Sequence, residues 1–273
     1  MDIKKITDLA PELSLFHYNE IPVLKLEHPL LGSALISLQG AQLLQWQPKN
    51  QKQSVLWLSE IEPFQKGKAI RGGIPLCYPW FNNAGTPAHG YARISLWQLA
   101  DYIIEENQIK LTFVLLDKNG IVEAKLKMQF DQNCTLTFSH YKNEGAQIAF
   151  HSYFNLENID NVEVQQLPTQ CQNFLTGQQE STSSHRYINE NIDCLYQVPT
   201  FSQAQIKDKI LNRIIHLQQQ NASDMVLWNP WHKETSSMTP TAYQQMLCLE
   251  SARIQHLLPA KQEMSLTLSA ISY

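Results

Sequence analysis

The sequence has little of what nucleic-acid-binding and disulfide-rich secreted proteins need. It has no run of lysine or arginine, and its net charge of -4 argues against non-specific nucleic-acid binding, which requires a concentrated basic field. The five cysteines are odd in number and never form C-x-x-C, so they indicate neither a disulfide framework nor a zinc ribbon. Such a pattern favours a reducing compartment.

Long apolar stretches are missing as well. The first residues lack the continuous apolar core of a signal peptide. No stretch reaches the roughly 18 apolar residues that a membrane span requires. We therefore expect a cytoplasmic protein with no membrane partner and no nucleic-acid partner.

Several catalytic signatures are absent from the chain. It contains no H-E-x-x-H, no G-x-S-x-G, no P-loop and no G-x-G-x-x-G. The close His-x-His pair of a metal-binding jelly roll is also missing. The spacing of the histidines and cysteines therefore indicates no metal site, and we expect no cofactor.

What the sequence does contain is a series of short stretches that alternate apolar and polar residues. Residues 123–130 (EAKLKMQF) have the period of two that is typical of a half-buried strand. Turn residues separate such stretches at 118–120 and 142–145, and the first of these turns predicts a hairpin. Further strands are expected at 23–26, 111–116, 134–141, 161–165, 246–250 and 265–272.

Helical signals are weak by comparison. Only Ser202–Leu211 has a plausible cap and a composition that predicts a short helix, and the polar residues 177–184 predict an exposed loop. Many short strands with turns between them indicate an all-β fold, an antiparallel sandwich or barrel. With no repeat and no linker, we expect a single domain over residues 1–273.

A dense segment of glycine, arginine and aromatic residues runs over residues 70–93. Two glycines follow Arg71, and they permit positive φ or a close approach of the backbone to a ligand. Arg71 and Arg93 are suited to holding a phosphate by charge-assisted, bidentate hydrogen bonds. Trp80 and its aromatic neighbours offer apolar faces to a sugar ring. A connecting loop with packed aromatics and surface arginines is the alternative.

Two further residues are candidates for acid–base chemistry. Alternation in residues 149–154 (AFHSYF) places His151 beside Tyr153 on one face, where a histidine is suited to general acid or base catalysis. Glu250 shares a face with Met246 and Cys248, where an ionised carboxylate is costly unless it is paired or functional. The alternatives are a core histidine with a satisfied hydrogen bond and a buried ion pair of Glu250 with Arg253 or another cation.

The order of six segments resembles the aldose 1-epimerase superfamily, and within it the hexose-6-phosphate mutarotases. No segment alone is convincing, but all six occur in the family's order. The segments are IRGGIPLCYPWF at 70–81, PAHGYAR at 87–93, AFHSYFN at 149–155, NIDCLYQ at 191–197, LWNPW at 227–231 and CLESARI at 248–254.

This resemblance implies a galactose-mutarotase-like β-supersandwich that interconverts the anomers of a hexose 6-phosphate, with glucose 6-phosphate as the expected substrate. His151 matches the family's general acid and Glu250 its general base. The expected partner is therefore a small sugar phosphate, and we expect the protein to act as a monomer.

The resemblance also implies a set of substrate-binding residues. His89 matches a histidine that binds the sugar near the reacting oxygens, and Asp193 matches an aspartate that hydrogen-bonds sugar hydroxyls. Arg71 and Arg93 match the arginines that distinguish the phosphate-binding branch of the family.

Three other functions stay open at the level of sequence. The first is an epimerase of unphosphorylated aldoses. The second is a glycosidase with Asp193 and Glu250 as its carboxylate pair. The third is a non-catalytic module that binds sugar phosphates, although binding alone does not need an acid and a base in register.

Overall fold

The structure is a computed structural model that describes residues 1–142 and 144–273. In chain order, its first eleven strands are β1 (Ile3–Ala10), β2 (Leu13–Tyr18), β3 (Ile21–His28), β4 (Gly32–Ser37), β5 (Gln42–Pro48), β6 (Leu76–Cys77), β7 (Gln98–Glu105), β8 (Gln108–Leu116), β9 (Val122–Phe130), β10 (Cys134–His140) and β11 (Ala146–Phe150). The others are β12 (Tyr153–Asn155), β13 (Val162–Gln165), β14 (Gln170–Asn173), β15 (Gln178–Ser181), β16 (His185–Tyr187), β17 (Ile192–Gln197), β18 (Phe201–Asp208), β19 (Arg213–Gln220), β20 (Asp224–Asn229), β21 (Met246–Leu258) and β22 (Glu263–Ser272).

The strands form three sheets whose named strands pair antiparallel. A five-stranded sheet has the order β1-β2-β3-β4-β5, and a nine-stranded sheet has the order β16-β13-β18-β19-β22-β10-β9-β8-β7. An eight-stranded sheet has the order β15-β14-β17-β20-β21-β11-β6, with β12 pairing on β21. Three short 3₁₀ helices lie at Ala92–Ile94, Ile159–Asn161 and Ala242–Gln245. Within the described residues, no helix is long and apolar enough to cross a membrane.

The main core lies between the nine-stranded and eight-stranded sheets. One buried cluster joins Leu126 and Leu136 of the nine-stranded sheet to Phe150, Leu247 and Leu249 of the eight-stranded sheet. Because side chains alternate between the two faces of a strand, the residues between these core positions project to the opposite face of the eight-stranded sheet. We call that opposite face the cleft face.

The sequence predicted most of these strands. Each predicted stretch lies largely within an observed strand, and β8 and β9 form the expected hairpin around the turn at 118–120. Asp117 closes this turn, because its Oδ1 accepts hydrogen bonds from the backbone N–H groups of Asn119 and Ile121. Of the second predicted turn, residue 143 lies outside the described residues.

The predicted helix at Ser202–Leu211 is wrong, because this segment forms β18. Ala204, Ile206 and Asp208 are buried, and the residues between them are more exposed, which is the period of a strand. Pairing on both sides, with β13 and β19, satisfies the backbone of this segment. Its weak helix propensity therefore yields to the tertiary structure.

The stretch 177–184 is exposed as predicted, but it is not wholly a loop. Its residues Gln178–Ser181 form β15, which pairs with β14 at the edge of the eight-stranded sheet. Few apolar residues are needed here, since an edge strand such as β15 has little to bury.

The two glycines after Arg71 have positive φ, with +117° at Gly72 and +62° at Gly73. A Cβ on Gly73 would lie 2.2 Å from the carbonyl oxygen of Leu43, and one on Gly72 would lie 2.6 Å from the Cα of Leu58. The close approach that these glycines permit is therefore to the backbone of β5 and of residues 57–59.

Candidate active site

The register of the eight-stranded sheet brings distant polar residues to the cleft face. Asp193 of β17 pairs with Trp228 of β20, Trp228 pairs with Cys248 of β21, and Cys248 pairs with Tyr153 of β12. Directly paired residues of antiparallel strands project to the same face. Glu250 lies two residues beyond Cys248 and therefore projects to this face as well.

Small apolar side chains line the part of the cleft face next to this row. Ala149 of β11 pairs with Cys77 of β6 on one side and with Ala252 of β21 on the other. These residues form a buried cluster with Phe81, which comes from the segment 78–93. That segment therefore packs on the sheet and forms one wall of the site.

His151 and Glu250 are in direct contact at the centre of the site. The Nε2 atom of His151 lies 3.3 Å from Oε1 of Glu250, and the two residues are only 8% and 1% exposed. The backbone N–H of His151 donates to the carbonyl of Pro75, which fixes the short connection between β11 and β12. Nδ1 of His151 and Oε2 of Glu250 are buried and have no hydrogen-bond partner among the described residues. Buried polar atoms of this kind are unusual in a folded protein and point to a functional site.

Burial perturbs both members of this pair in the direction of their neutral forms. It lowers the pKa of His151 well below its usual value, and the charges of His89, Arg93 and Arg71 add to that effect. It raises the pKa of Glu250 well above its usual value, and the charge of Asp193 raises it further while that of Arg93 opposes the shift. Strongly perturbed acids and bases in a cleft are candidates for proton transfer.

His89 lies at the edge of His151, with ring centroids 5.5 Å apart and an interplanar angle of 72°. Its Nδ1 accepts a hydrogen bond from the backbone N–H of Asn82 at 3.3 Å and lies 3.3 Å from Sγ of Cys77. Burial, followed by the charges of Arg93 and Arg71, lowers the pKa of His89 to about 3. A neutral imidazole that accepts at Nδ1 carries its proton on Nε2. His89 is therefore a hydrogen-bond donor in this site.

Arg71 is held by two other parts of the chain. Its Nε donates to the carbonyl of Ser236 and one terminal nitrogen donates to Oγ of Ser236, both at 3.1 Å. The other terminal nitrogen donates to the hydroxyl of Tyr153 at 2.7 Å. A guanidinium has five N–H groups, so these contacts leave one N–H on each terminal nitrogen for a ligand, within the described part of the chain. The backbone N–H of Arg71 donates to Oε2 of the buried Glu62 at 2.8 Å.

Arg93 lies at the end of the 78–93 segment, a few residues after His89. A terminal nitrogen of its guanidinium donates to the carbonyl of Ala88 at 2.9 Å. Its Nε is buried and has no partner among the described residues. The charge of Arg93 lowers the pKa of His151 and opposes the rise in the pKa of Glu250.

Asp193 is a half-buried carboxyl on the cleft face. Burial raises its pKa to about 6, and the charge of Lys233 opposes that shift. Lys233 belongs to the loop that also carries Ser236, so this loop approaches the site at both Asp193 and Arg71. Residues 230–240 and Tyr243, which include this loop, line a cavity of about 540 Å³.

Trp80 is placed differently from the other predicted residues. Its indole N–H donates to the carbonyl of Pro87 at 2.7 Å, and its ring packs edge-on against Tyr91. The same ring covers Gly85, where a Cβ would lie 2.6 Å from it. These contacts stabilise the segment that carries His89 and Arg93.

Arg253, the alternative partner of Glu250, points elsewhere. Its guanidinium donates to the carbonyl of His256 and to the carbonyl and side chain of Asn221. The predicted alternative of a buried Glu250–Arg253 ion pair is therefore wrong. In the described residues, no group of three or more His, Cys, Asp or Glu side chains is arranged to hold a metal ion.

Sequence reasoning assigned no role in this site to three residues. Tyr153 stacks on His151, Trp228 lies edge-on to His151 at a centroid distance of 6.2 Å, and Ser236 binds Arg71. Tyr153 and Trp228 belong to the segments AFHSYFN and LWNPW, whose aromatic character is a usable signal. Ser236 lies in a polar loop, and nothing local distinguishes it from its neighbours.

The fold and the cleft together define a protein of the galactose-mutarotase-like class. A solved structure of a provisionally named mutarotase from Salmonella typhimurium superposes with a TM-score of 0.92 at 27% identity, covering 99% of this chain and 97% of that chain. A second solved structure, described as a crystal structure analysis of HI1317, gives a TM-score of 0.97 at 53% identity and covers 99% of this chain and 100% of that chain.

The chain belongs to the aldose 1-epimerase family, whose model matches residues 22–270. It is 51% identical over 261 residues to a protein of Haemophilus influenzae, covering 96% of each chain. It is 32% identical over 265 residues to a protein of Escherichia coli K12, covering 90% of this chain and 88% of that protein. Both relatives carry the provisional name glucose-6-phosphate 1-epimerase.

Proposed function

We propose that this protein interconverts the α and β anomers of a hexose 6-phosphate, with glucose 6-phosphate as the preferred substrate. The observation that carries the proposal is the contact of 3.3 Å between His151 and Glu250, an acid and a base in a cleft flanked by two arginines. The provisional names of the relatives support the same substrate.

Mutarotation needs two coordinated proton transfers. Glu250 removes the proton from the anomeric hydroxyl, and His151 donates a proton to the ring oxygen. The bond between C1 and O5 then breaks and gives the open-chain aldehyde. Rotation about C1–C2 exposes the other carbonyl face, and the reverse transfers close the ring as the other anomer. General acid–base groups each contribute typically about 10²–10⁴-fold.

The perturbed pKa values fit this cycle. The pair binds one proton in both of its forms, either neutral His151 with protonated Glu250 or the imidazolium with the carboxylate. Ring opening consumes the charged form and leaves the neutral form. Because burial favours the neutral form, the site favours the protonation state that the pair has beside the open-chain sugar.

The phosphate would bind at the arginines. Arg71 offers one N–H on each terminal nitrogen, and Arg93 offers the buried Nε that lacks a partner among the described residues. A phosphate held far from C1 anchors either anomer without touching the reacting carbon. His89, as a neutral donor, and Asp193 would then bind the sugar oxygens.

Two-dimensional NMR exchange between the anomers of glucose 6-phosphate tests this proposal, with free glucose measured in parallel. Selective acceleration of the phosphate ester is expected. Equal acceleration of both sugars would keep the chemistry and reject the phosphate site. Exchange no faster than in buffer would overturn the proposal and favour a non-catalytic binding module. Release of a reducing sugar from an oligosaccharide would favour a glycosidase instead.

We also propose that the protein works as a monomer, as a single domain and in the cytoplasm. The scattered cysteines, which never form C-x-x-C, support the location. Size-exclusion chromatography with light scattering tests the monomer, and a dimer mass would reject it.

A further inference from the structure

Tyr153 connects the arginine of the proposed phosphate site to the proposed catalytic acid. Its ring stacks on that of His151 with a centroid distance of 5.0 Å and an interplanar angle of 14°. Its hydroxyl accepts a hydrogen bond of 2.7 Å from Arg71. The tyrosine is 2% exposed, and Trp57 stacks on it at 5.9 Å, so its ring has little freedom to move.

Arg71 itself is anchored on the side away from His151. Ser236 accepts from two of its guanidinium nitrogens, and Glu62 accepts from its backbone N–H. The positive charge is therefore held at a fixed place behind Tyr153. Since Tyr153 is buried and uncharged, it separates this charge from His151 without the screening that water would provide.

The groups that face His151 act on its proton in opposite directions. Glu250 of β21 is the acceptor that stabilises an imidazolium at 3.3 Å. His89 and Arg93 from the 78–93 segment and Arg71 from beyond Tyr153 all oppose protonation. A dianion bound to Arg71 would cancel one of these positive charges, and protonated His151 would become more stable.

We propose that the substrate's phosphate, on binding Arg71, shifts the one proton of the pair from Glu250 to His151, which is then the proton donor, and that Tyr153 is the positioning residue that holds Arg71 and His151 in register. This inference rests on the proposed function and deepens it. The phosphate then acts on the chemical step as well as on binding. A sugar without a phosphate enters the same cleft but meets an acid that is rarely charged.

The first test compares the pH profiles of kcat for glucose 6-phosphate and for free glucose. The active pair of His151 and Glu250 holds one proton, so activity is lost on the alkaline side as the pH rises through the pKa at which the pair loses that proton in the complex. The alkaline limb for glucose 6-phosphate is expected at higher pH than that for free glucose, by on the order of one pH unit. Adding inorganic sulfate, a weak base that mimics the dianion, should raise the rate on free glucose and move its limb upward. Sodium chloride at equal ionic strength is the control.

Substitution of Arg71 makes the test specific. Arg71→Gln removes the positive charge, so the alkaline limb on free glucose should lie at higher pH than in the wild type and should no longer respond to sulfate. An alkaline limb that still moves with sulfate in this variant would locate the effect elsewhere and overturn the inference.

Tyr153→Phe tests the positioning role, because it keeps the ring on His151 and removes the hydroxyl that binds Arg71. The difference in pH between the alkaline limb for glucose 6-phosphate and that for free glucose should become smaller. Tyr196→Phe is the matched control, since Tyr196 also accepts from an arginine, Arg186, at 2.9 Å and is fully buried in the core. Tyr196→Phe should lose stability to a similar extent, and the difference in pH between its two alkaline limbs should stay as in the wild type. An unchanged separation in Tyr153→Phe would reject the role of Tyr153.

The two proposals fail in different ways. If glucose 6-phosphate is not accelerated at all, the proposed function is wrong. If glucose 6-phosphate is accelerated but both sugars share one alkaline limb and sulfate leaves the free-glucose rate unchanged or inhibits it, the phosphate serves only for binding. In that case the proposed function stands and the inference is overturned.

Discussion

Asp193 and Glu250 project to the same face of the eight-stranded sheet, two strands apart, and the charge of Asp193 adds to burial in raising the pKa of Glu250. Burial also raises the pKa of Asp193 itself, to about 6, so this carboxyl loses its charge as the pH falls through about 6. A residue expected only to bind sugar hydroxyls therefore also influences the proposed base.

Asp193→Asn should move the alkaline limb of the kcat profile for glucose 6-phosphate to lower pH. At that limb Asp193 is ionised and the pair of His151 and Glu250 loses its one proton, and loss of the neighbouring negative charge lowers the pKa of Glu250. The measurement is the pH dependence of anomer exchange at saturating substrate, so that weaker binding does not obscure the shift. Asp101→Asn, on the exposed strand β7, is the control and should leave the limb in place. An unmoved limb in Asp193→Asn would contradict the coupling.

Glu250→Gln should lower activity and raise stability at the same time. The raised pKa of folded Glu250 means that its contribution to stability is full below about 4.5 and is lost as the pH rises. The uncharged amide avoids that cost at pH 8, and we expect a gain of about 1–2 kcal/mol in the free energy of unfolding. Activity should fall by about 10²–10⁴-fold. Thermal or denaturant unfolding and NMR exchange measure the two effects.

Glu163→Gln is the matched control for that experiment. Glu163 also contacts a histidine, with Nδ1 of His185 at 2.9 Å, but the pair lies on the exposed edge of the nine-stranded sheet. The hydrogen bond from His185 lowers the pKa of Glu163, the opposite direction from Glu250. The control should gain no stability and should keep its activity. A stability gain in both variants would mean that the effect of Glu250→Gln is not caused by burial.

His89→Gln should make the protein less sensitive to acid. The pKa of folded His89, about 3, lies below that of an unfolded histidine, about 6.5, so the unfolded state binds the extra proton. Stability is therefore lost as the pH falls from 6.5 towards 3, at up to roughly 1.4 kcal/mol per pH unit for one proton. Urea unfolding between pH 7 and 4.5 should show a shallower decline in the variant. His17→Gln, at an exposed position, should decline like the wild type, and equal slopes in all three proteins would refute the assignment.

Arg93→Gln should lower the acceleration of glucose 6-phosphate exchange by about 10–100-fold, the value of a charge-assisted hydrogen bond. Anomer exchange of free glucose should be slowed less, so the rate on glucose 6-phosphate divided by the rate on free glucose should fall. Arg253→Gln is the control, since Arg253 binds Asn221 and the carbonyl of His256. An equal loss on both sugars in Arg93→Gln would remove Arg93 from the phosphate site.

Local patterns in the sequence determined the all-β class and most of the strands, because alternation reports which side of a strand is buried. They also placed His151 and Tyr153 on one face of their segment, and in the structure the two rings stack on each other. The family resemblance added His89 and Asp193 to the candidate residues and assigned each candidate a role, and the family membership that it implied is confirmed. Where a pattern was weak, as in Ser202–Leu211, pairing with neighbouring strands decided the outcome.

Only the tertiary structure decided which residues meet. The contact between His151 and Glu250 joins positions that are about a hundred residues apart, and it depends on the pairing of β11 and β12 with β21. The tertiary structure likewise decided that Glu250 contacts His151 and not Arg253. It also decided that Tyr153 stacks on His151 and that Ser236 binds Arg71. Local sequence encodes which side of a strand is apolar. Register and loop packing set distances and burial across the sheet, and the pKa values of the site depend on these.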